Sequence, residues 1–421
     1  MAGAGSLDGA PGWRGDVSEP DISALVVNYN TSKLALDMLH SLKAQKPKDA
    51  SGRPLEIEFV FVDNASPMRD EEAIEEIRRF GREQLPGKVI LAKENLGYAK
   101  GMNLALEQSQ GRNLLVLNPD LVLLEGCVEA LYRELHKDSR VGAVGPIGFW
   151  ERGREVRLPP NILPTLSDLI WSSLAQISPS ANRLYRRRRV RDALRIFDSK
   201  EPLELSMLSG ACLMLRRETV EELGELFDPE FPLYFEDTDL FRRLRSQGKV
   251  LVQVPDAHMA HFYNRSGTTN QGEAFRRYWK ARSYYYGKWY GPIGRAVEGL
   301  CKKILHTSLA GRTARIRERE VEDLGRITEP PVLRFPKHMD RCLLEFCHDA
   351  GFLLAAAMFG KGKEWRPGPS FWNAFGPSVY YFRVLDLDGG KPVEVGLWRF
   401  ERVPETKPSP VELKEEVHAG S

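Results

Sequence analysis

Three carboxylates crowd behind one aromatic ring in Phe235-Glu-Asp-Thr-Asp239, where a helical pattern begins that runs to about Gln247. Acids at a helix N-terminus interact favourably with its macrodipole. This many exceed what capping requires, however, and a carboxylate placed there could take a proton from a hydroxyl. Asp63 and Asp120 follow apolar, β-branched runs at 57–62 and 113–117. An aspartate in that position is often only a turn residue. Yet polar groups at the carboxyl ends of successive strands converge on one edge of an open α/β sheet, and ligands of such folds bind there. Asp63, Asp120 and Asp237 are therefore the residues around which a site could form.

The elements that must position them follow from periodicity. From Ile22 to Val144 short β-branched runs alternate with amphipathic stretches, the pattern of a sheet built from βαβ units. Strands are expected at 22–28, 57–62, 88–92 and 113–117. Thr31 or Ser32 would cap a first helix carrying Leu34, Met38, Leu39 and Leu42 at helical spacing. A charged helix is expected at 70–80, and Asn95-Leu-Gly-Tyr-Ala-Lys-Gly-Met-Asn103 reads as a loop. Residues 150–202 look irregular, with Pro159, Pro160, Pro164 and the run Arg186-Arg-Arg-Arg189, and suggest an insertion of about 150–205 over the sheet. A strand at 208–215, a helix at 217–223 and a strand at 250–254, running towards His258 and His261, complete a domain of 21–290. A helical linker of 291–330 and a small β-rich domain of 331–403 are expected next. The clearest element of that domain is a hairpin of 379–387 and 393–400 joined by Asp388-Gly-Gly-Lys-Pro392. Residues 1–20 read as a disordered leader and 404–421 as a polar tail.

Composition narrows the function classes. At 421 residues the chain exceeds one average domain, and 42% hydrophobic with 28% charged residues is ordinary for a soluble globular protein. A formal net charge of +2 is too small for a nucleic-acid-binding signature, so no nucleic acid partner is expected. Cys127, Cys212, Cys301, Cys342 and Cys347 are scattered, odd in number and form no CxxC pair, which points to a reducing, cytoplasmic setting. No signal-like apolar segment opens the chain, and the most apolar late stretch, 351–360, is too short to span a bilayer. The first strand runs into Asn28-Tyr-Asn30 with no glycine, GxGxxG is absent, and so is GxxxxGK[ST]. A nicotinamide enzyme and a P-loop NTPase are thereby disfavoured.

Taken in order, Val26-Val-Asn-Tyr-Asn30, Val62-Asp-Asn-Ala-Ser66, Asn95-Leu-Gly-Tyr-Ala-Lys-Gly-Met-Asn103, Leu117-Asn-Pro-Asp120, Ser209-Gly-Ala211 and Phe235-Glu-Asp-Thr-Asp239, closed by His261 and Ser266, resemble glycosyltransferase family 2, specifically its rhamnosyltransferase-like members. Each motif is weak alone; order and spacing make the signal. The resemblance spans roughly residues 20 to 290 and is silent on the C-terminal domain. It implies an α/β fold of the GT-A type, a Rossmann-like mixed sheet flanked by helices. It also implies inverting transfer of a sugar, L-rhamnose from dTDP-rhamnose or a sugar from a UDP-sugar, onto a polysaccharide or lipid-linked glycan of the cell envelope.

Carried over position by position, the resemblance implies that Asp63 binds the nucleotide base in a pocket lined by Val27 and Asn28. Asp120 would hold Mg²⁺ or Mn²⁺, with His261 as the second protein ligand and His258 as its rival. Asp237 would be the catalytic base, with Glu236 beside it. Asn95, Asn103 and Asn118 join the donor-binding residues, and Gly97 and Gly101, lacking a Cβ, would let the backbone approach the nucleotide. A cation acting as Lewis acid on the departing diphosphate removes the need for a protonated acid, so one base suffices where a hydrolase uses paired carboxylates. One departure stands out: the family's Asp-x-Asp is Asn118-Pro-Asp120 here.

Two other readings use the same residues. A sugar-binding protein without catalysis could keep the fold, although the intact Glu236-Asp237 pair speaks against it. A sugar nucleotidyltransferase would need a Gly-rich, Arg-containing first loop, which Asn28-Tyr-Asn-Thr-Ser32 is not. The run Arg183-Leu-Tyr-Arg-Arg-Arg-Arg-Val-Arg191 is either a solvated charge cluster or a contact with an anionic membrane surface at the inner face of the plasma membrane. The aromatic segment 278–290 either lies at a bilayer interface or packs across the catalytic domain. The sequons at Asn30, Asn64 and Asn264 fall inside the site motifs and are taken as chance matches.

Overall fold

The computed structural model describes residues 19–262 and 271–404. Most of the expected leader and tail, together with Asn264 and Ser266, lies outside those residues.

The chain opens with β1 (Ile22–Asn28), α1 (Ser32–Lys43), β2 (Ile57–Asp63), α2 (Glu71–Glu83), β3 (Gly87–Leu91), α3 (Tyr98–Glu107) and β4 (Asn113–Leu117). β1, β2 and β4 are buried end to end, as apolar strands covered on both faces must be. Ala35, Met38, Leu39 and Leu42 place the apolar stripe of α1 on the sheet. Thr31 occupies the N-cap position of α1 as expected, but its side chain makes no capping hydrogen bond. The Thr31 hydroxyl donates to Asn28 Oδ1 at 2.9 Å, and Asn28 Nδ2 donates to Ser32 Oγ at 3.1 Å, so both residues serve the end of β1. The stretch 95–103, expected as a loop, turns helical at Tyr98.

Next come β5 (Leu121–Leu123), α4 (Cys127–Leu135), β6 (Val141–Phe149), α5 (Leu166–Ile177) and α6 (Pro179–Phe197). These last two helices fill most of the stretch expected to be irregular. Both helices follow Pro164, and each is capped: Thr165 Oγ1 accepts from Asp168 N at 3.0 Å, and Ser178 Oγ from Ala181 N at 3.4 Å, with Pro179 opening the second helix. Then follow β7 (Leu203–Leu205), β8 (Cys212–Arg216), α7 (Arg217–Leu223), α8 (Glu236–Ser246), β9 (Val250–His261) and α9 (Gln271–Leu305). Gly291, at φ 60°, and Pro292 break α9 in two. The aromatic segment 278–290 lies in its first half and packs inward, with Tyr285 and Tyr286 buried beside Phe231 and Leu169.

The large sheet runs β3-β2-β1-β4-β8-β6-β9-β5, with β7 beside β9. β1 to β4 pair in parallel, whereas β8 is antiparallel to β4 and β5 antiparallel to β9. Side chains of α1, α2 and α4 form the core on one face, and those of α3, α7 and α8 the core on the other. This is the mixed α/β architecture expected, with helices on both faces.

After α10 (Arg312–Arg317) a second sheet forms from β10 (Glu322–Ile327), β11 (Leu333–Cys347), β12 (Ala356–Trp365), β13 (Ser378–Asp386) and β14 (Val393–Arg402), in the order β10-β14-β13-β11-β12. β10 falls where a helical linker was expected. The core is aromatic, with Phe346, Phe382 and Phe400 stacked under Phe371 of α11 (Pro369–Ala374). This sheet is tied to the first. Arg157 and Ala357 exchange backbone hydrogen bonds of 2.8 and 3.0 Å, and Glu345, buried on β11, accepts from Arg186 of α6 at 2.6 Å and from Arg383 Nε of β13 at 2.9 Å. No helix among the described residues is long and apolar enough to cross a membrane.

Candidate active site

A cavity of about 830 Å³ opens at the carboxyl edge of β1 and β4, the size of a pocket that encloses a substantial ligand. Val27, Asn95, Gly97, Asn118, Asp120, Glu236, Asp237 and His261 all line it. Sheet register creates the meeting of Asp120 with His261. Leu121 at the start of β5 pairs with His261 at the end of β9, so the preceding residue, Asp120, lies beside that histidine. Asp120 Oδ1 and His261 Nε2 are 3.2 Å apart. His258 does not line the cavity: its ring stacks edge-on against Phe149, and Nδ1 lies 3.4 Å from an Arg154 nitrogen.

The acidic pair comes from α8, whose N-cap Phe235 has φ 69° and follows Tyr234 at φ 68°. Successive left-handed, non-glycine residues cost free energy and occur where surroundings hold them in place. Here they turn the chain so that Glu236 and Asp237 begin the helix at the cavity wall, while Asp239, one turn along, faces away. Asp239 is fully buried and binds Arg243 Nε at 2.8 Å and Trp289 Nε1 at 2.9 Å, joining α8 to α9. Asp237 Oδ1 accepts from Thr238 N at 2.6 Å, and enclosure in the cavity still raises its carboxyl above the ordinary aspartate range. Burial first, then the charge of Asp237, pushes Glu236 up to about 8. Its Oε2 has no hydrogen-bond partner among the described residues.

Four expected donor-binding residues lie outside the cavity lining. Asp63 is fully buried beneath the wall; its Oδ1 accepts from Asn28 Nδ2 at 2.8 Å and from Ser66 Oγ at 2.6 Å. Asp63 and Asn28 thus hold each other across β1 and β2, and the neighbouring Asn64 lines the cavity instead. Asn64 bridges to the next loop, donating to Asn95 Oδ1 at 3.1 Å and accepting from Leu96 N at 2.8 Å. Gly101 serves packing: a Cβ there would stand 3.1 Å from the Val27 side chain. Asn103 brackets the backbone of Phe227, donating to its carbonyl at 2.7 Å and accepting from its N–H at 3.0 Å. Gly97 does line the cavity, and its φ of 82° is the reason a glycine stands there.

Other lining residues carried no separate expectation. Tyr98 donates to Asn118 Oδ1 at 3.0 Å, and burial together with the carboxylates of Glu236, Asp237 and Asp120 pushes its phenol well up. It sits inside a motif already quoted, as does Gly210. Phe197, Met207 and Leu354 form an apolar wall, Leu354 coming from the C-terminal domain; no motif marks them.

Residues 23–224 match the sequence model of Glycosyl transferase family 2. The N-terminal domain belongs to glycosyltransferase family 2. That membership assigns the domain to sugar transfer from a nucleotide-sugar donor. The family 2 domain has relatives of known name. Over 251 residues the chain is 26% identical to N-acetylglucosaminyl-diphospho-decaprenol L-rhamnosyltransferase of Mycobacterium tuberculosis, covering 54% of this chain and 77% of that protein. It is 22% identical over 244 residues to a low-salt glycan biosynthesis hexosyltransferase of Haloferax volcanii, covering 56% and 66% respectively. Among solved structures, the mannosyltransferase PcManGT from Pyrobaculum calidifontis, in complex with GDP-Man and Mn²⁺, matches with a TM-score of 0.42 at 15% identity over 72% of this chain and 81% of that one. S. aureus TarS 1-349 in complex with UDP-GlcNAc matches at 0.40 and 16%, over 68% and 72%.

Proposed function

We propose that this family 2 glycosyltransferase is inverting and moves a sugar, L-rhamnose from dTDP-rhamnose first and a UDP-sugar second, onto a lipid-linked or polysaccharide envelope glycan. The sugar and the lipid-linked acceptor follow the mycobacterial relative's name; the nucleotide follows the resemblance of the motifs. The observation that carries the chemistry is that Asp237 opens into the same cavity as the Asp120–His261 pair.

Asp237 is the base in this reading. Its carboxylate takes the proton of an acceptor hydroxyl as that oxygen attacks the anomeric carbon, displacing the nucleoside diphosphate in one inverting step. Thr238 N holds Oδ1 of the carboxylate from behind. Glu236, protonated near neutral pH, adds no second negative charge where diphosphate must sit. Val27, Asn64 and Asn95 line the wall for the nucleoside. Asp63 contributes by holding the 63–66 turn rather than by touching the base.

Asp120 and His261 fit a divalent cation: a carboxylate oxygen and an imidazole nitrogen converge at 3.2 Å on the cavity wall. No cluster of three or more His, Cys, Asp or Glu ligands occurs among the described residues, so diphosphate oxygens and water would complete the shell, as Mg²⁺ and Mn²⁺ sites allow. Bound there, the ion would neutralise charge on the departing diphosphate. Asn118, where the family has an aspartate, brings no second carboxylate to it, and its Oδ1 accepts from Tyr98.

The test combines ligand choice with one substitution. Melting shifts with dTDP, UDP and GDP in Mn²⁺ should single out the donor nucleotide, and Asp237→Asn should keep that shift while losing turnover by about 10²–10⁴-fold. Full activity of Asp237→Asn would remove it as the base; wild-type nucleotide binding without any turnover would favour a non-catalytic binding protein.

A further inference from the structure

The two helices that fill the 150–202 stretch each bury one face and leave the other in water. On α5 the exposed positions are Ser167, Ile170, Trp171 and Leu174, spaced as one stripe of a helix, while Leu169, Ser173 and Ala175 face the protein. Three bulky apolar side chains thus point to solvent on a helix already packed on its other side, Trp171 with 42% of its surface exposed. On α6, Tyr185, Arg186, Val190 and Ala193 are buried. Arg183, Arg187, Arg188, Arg191 and Arg195 are exposed, with Leu184, 57% exposed, among them. Asp192 is the only acid in this helix.

The two helices pack against each other. The Tyr185 hydroxyl donates to Asp168 Oδ1 at 3.2 Å, and the charges of Arg189 and Arg188 act on that same carboxyl. Arg188, at the edge of the basic face, is therefore within electrostatic reach of α5, the helix that carries the apolar stripe. A chain with a net charge of only +2 has concentrated arginine on one side of one helix, against a tryptophan and three aliphatic side chains.

We propose that the α5–α6 face docks on an anionic lipid bilayer. Indole and aliphatic groups enter the interfacial layer while guanidinium groups meet headgroup phosphates. A second copy of the chain is a poor occupant, because a two-fold contact through this face would set its arginines against themselves. Nucleic acid would leave Ile170 and Leu174 without a partner. The hairpin also begins and ends at the cavity: Pro164, just before α5, and Phe197, the last residue of α6, both line it. Docking would hold the cavity near the lipid surface. That consequence for a lipid-linked acceptor rests on the glycosyltransferase reading, whereas docking itself does not.

Flotation of the full chain with vesicles tests it. The protein should rise with vesicles of equal parts phosphatidylcholine and phosphatidylglycerol, stay behind with phosphatidylcholine alone, and be released by high salt. Arg187→Glu/Arg191→Glu should weaken the partition by roughly 25-fold or more. Ile170→Ser/Trp171→Ser/Leu174→Ser should weaken it while leaving salt release intact. Arg78→Glu/Arg82→Glu on α2, an equal change of charge elsewhere, should float as the wild type. Circular dichroism establishes that each variant is folded, and nucleotide-induced melting shifts should persist in all of them, which separates failure of docking from failure of the catalytic reading. Equal flotation of the α5 and α6 variants and the wild type would overturn the proposal. So would no flotation of the wild type, or a dimer in sedimentation velocity that these same variants abolish.

Discussion

Gly210 is the residue whose replacement tests the site most sharply. A Cβ built there would stand 2.5 Å from Asp237 Oδ2, 2.7 Å from its Cβ and 2.9 Å from its Cγ, where ordinary contact begins at 3.4 Å. The backbone of Gly210 accepts alanine, having no left-handed φ. Side-chain rotation alone cannot relieve the clash, because the Cβ of Asp237 is itself too near. Gly210→Ala must therefore displace the carboxylate by about 0.9 Å or move the first turn of α8 that carries it. A misplacement of about 1 Å at a reacting group costs roughly 10²-fold in rate, and overpacking of this kind costs about 1–3 kcal/mol of stability. The assay is release of nucleoside diphosphate from the donor picked out by melting shifts, with nucleotide affinity measured by calorimetry. kcat should fall about 100-fold while nucleotide Kd holds, because Gly210 faces the acid and not the nucleoside wall. Turnover within twofold of wild type in a folded variant would refute the reasoning, since a base able to tolerate that shift is not the base.

Asp120→Ala should abolish the extra melting shift that Mn²⁺ adds to a nucleoside diphosphate; an unaltered metal effect would take Asp120 out of the site. Glu236 has a folded-state carboxyl raised to about 8, above its unfolded value, so the folded state retains a proton that the unfolded state has released. Stability must then fall as pH rises from about 4.5 towards 8. Glu236→Gln should flatten that part of the melting-temperature profile, and parallel profiles for the two proteins would contradict the burial argument. Glu345→Ala leaves Arg186 and Arg383 buried without their shared carboxylate, and should cost about 3–5 kcal/mol in urea unfolding; a loss below about 1 kcal/mol would mean that water reaches the pair.

Much of the site could be read from strand ends. β1, β2 and β4 are apolar runs whose final polar residues fall at the edge where the cavity opens, and of the two histidines on β9 it is His261 that lines it. Asp63 shows the limit of that reasoning. Its place at the end of β2 was legible, but whether its oxygens point at a ligand or at Asn28 and Ser66 is decided by parallel register with β1, which no local pattern encodes. Gly101 and Asn103 lie outside the lining for a related reason: from Tyr98 the segment is helical, which turns them towards Val27 and Phe227. In the 150–202 stretch the prolines mask two helices whose signal is local, the caps at Thr165 and Ser178.

By itself the sequence determined the alternation of strands and helices, the acids at the start of α8 and the motif order that marks the family, because these depend on neighbours within a few residues. Only tertiary structure decided that Asp120 meets His261, that Glu236 is buried with its Oε2 unpartnered among the described residues, and that Leu354 reaches the cavity from the connection between β11 and β12. Each is a contact between distant segments, created by strand pairing and side-chain burial, and burial sets the protonation of an acid through the loss of water around it.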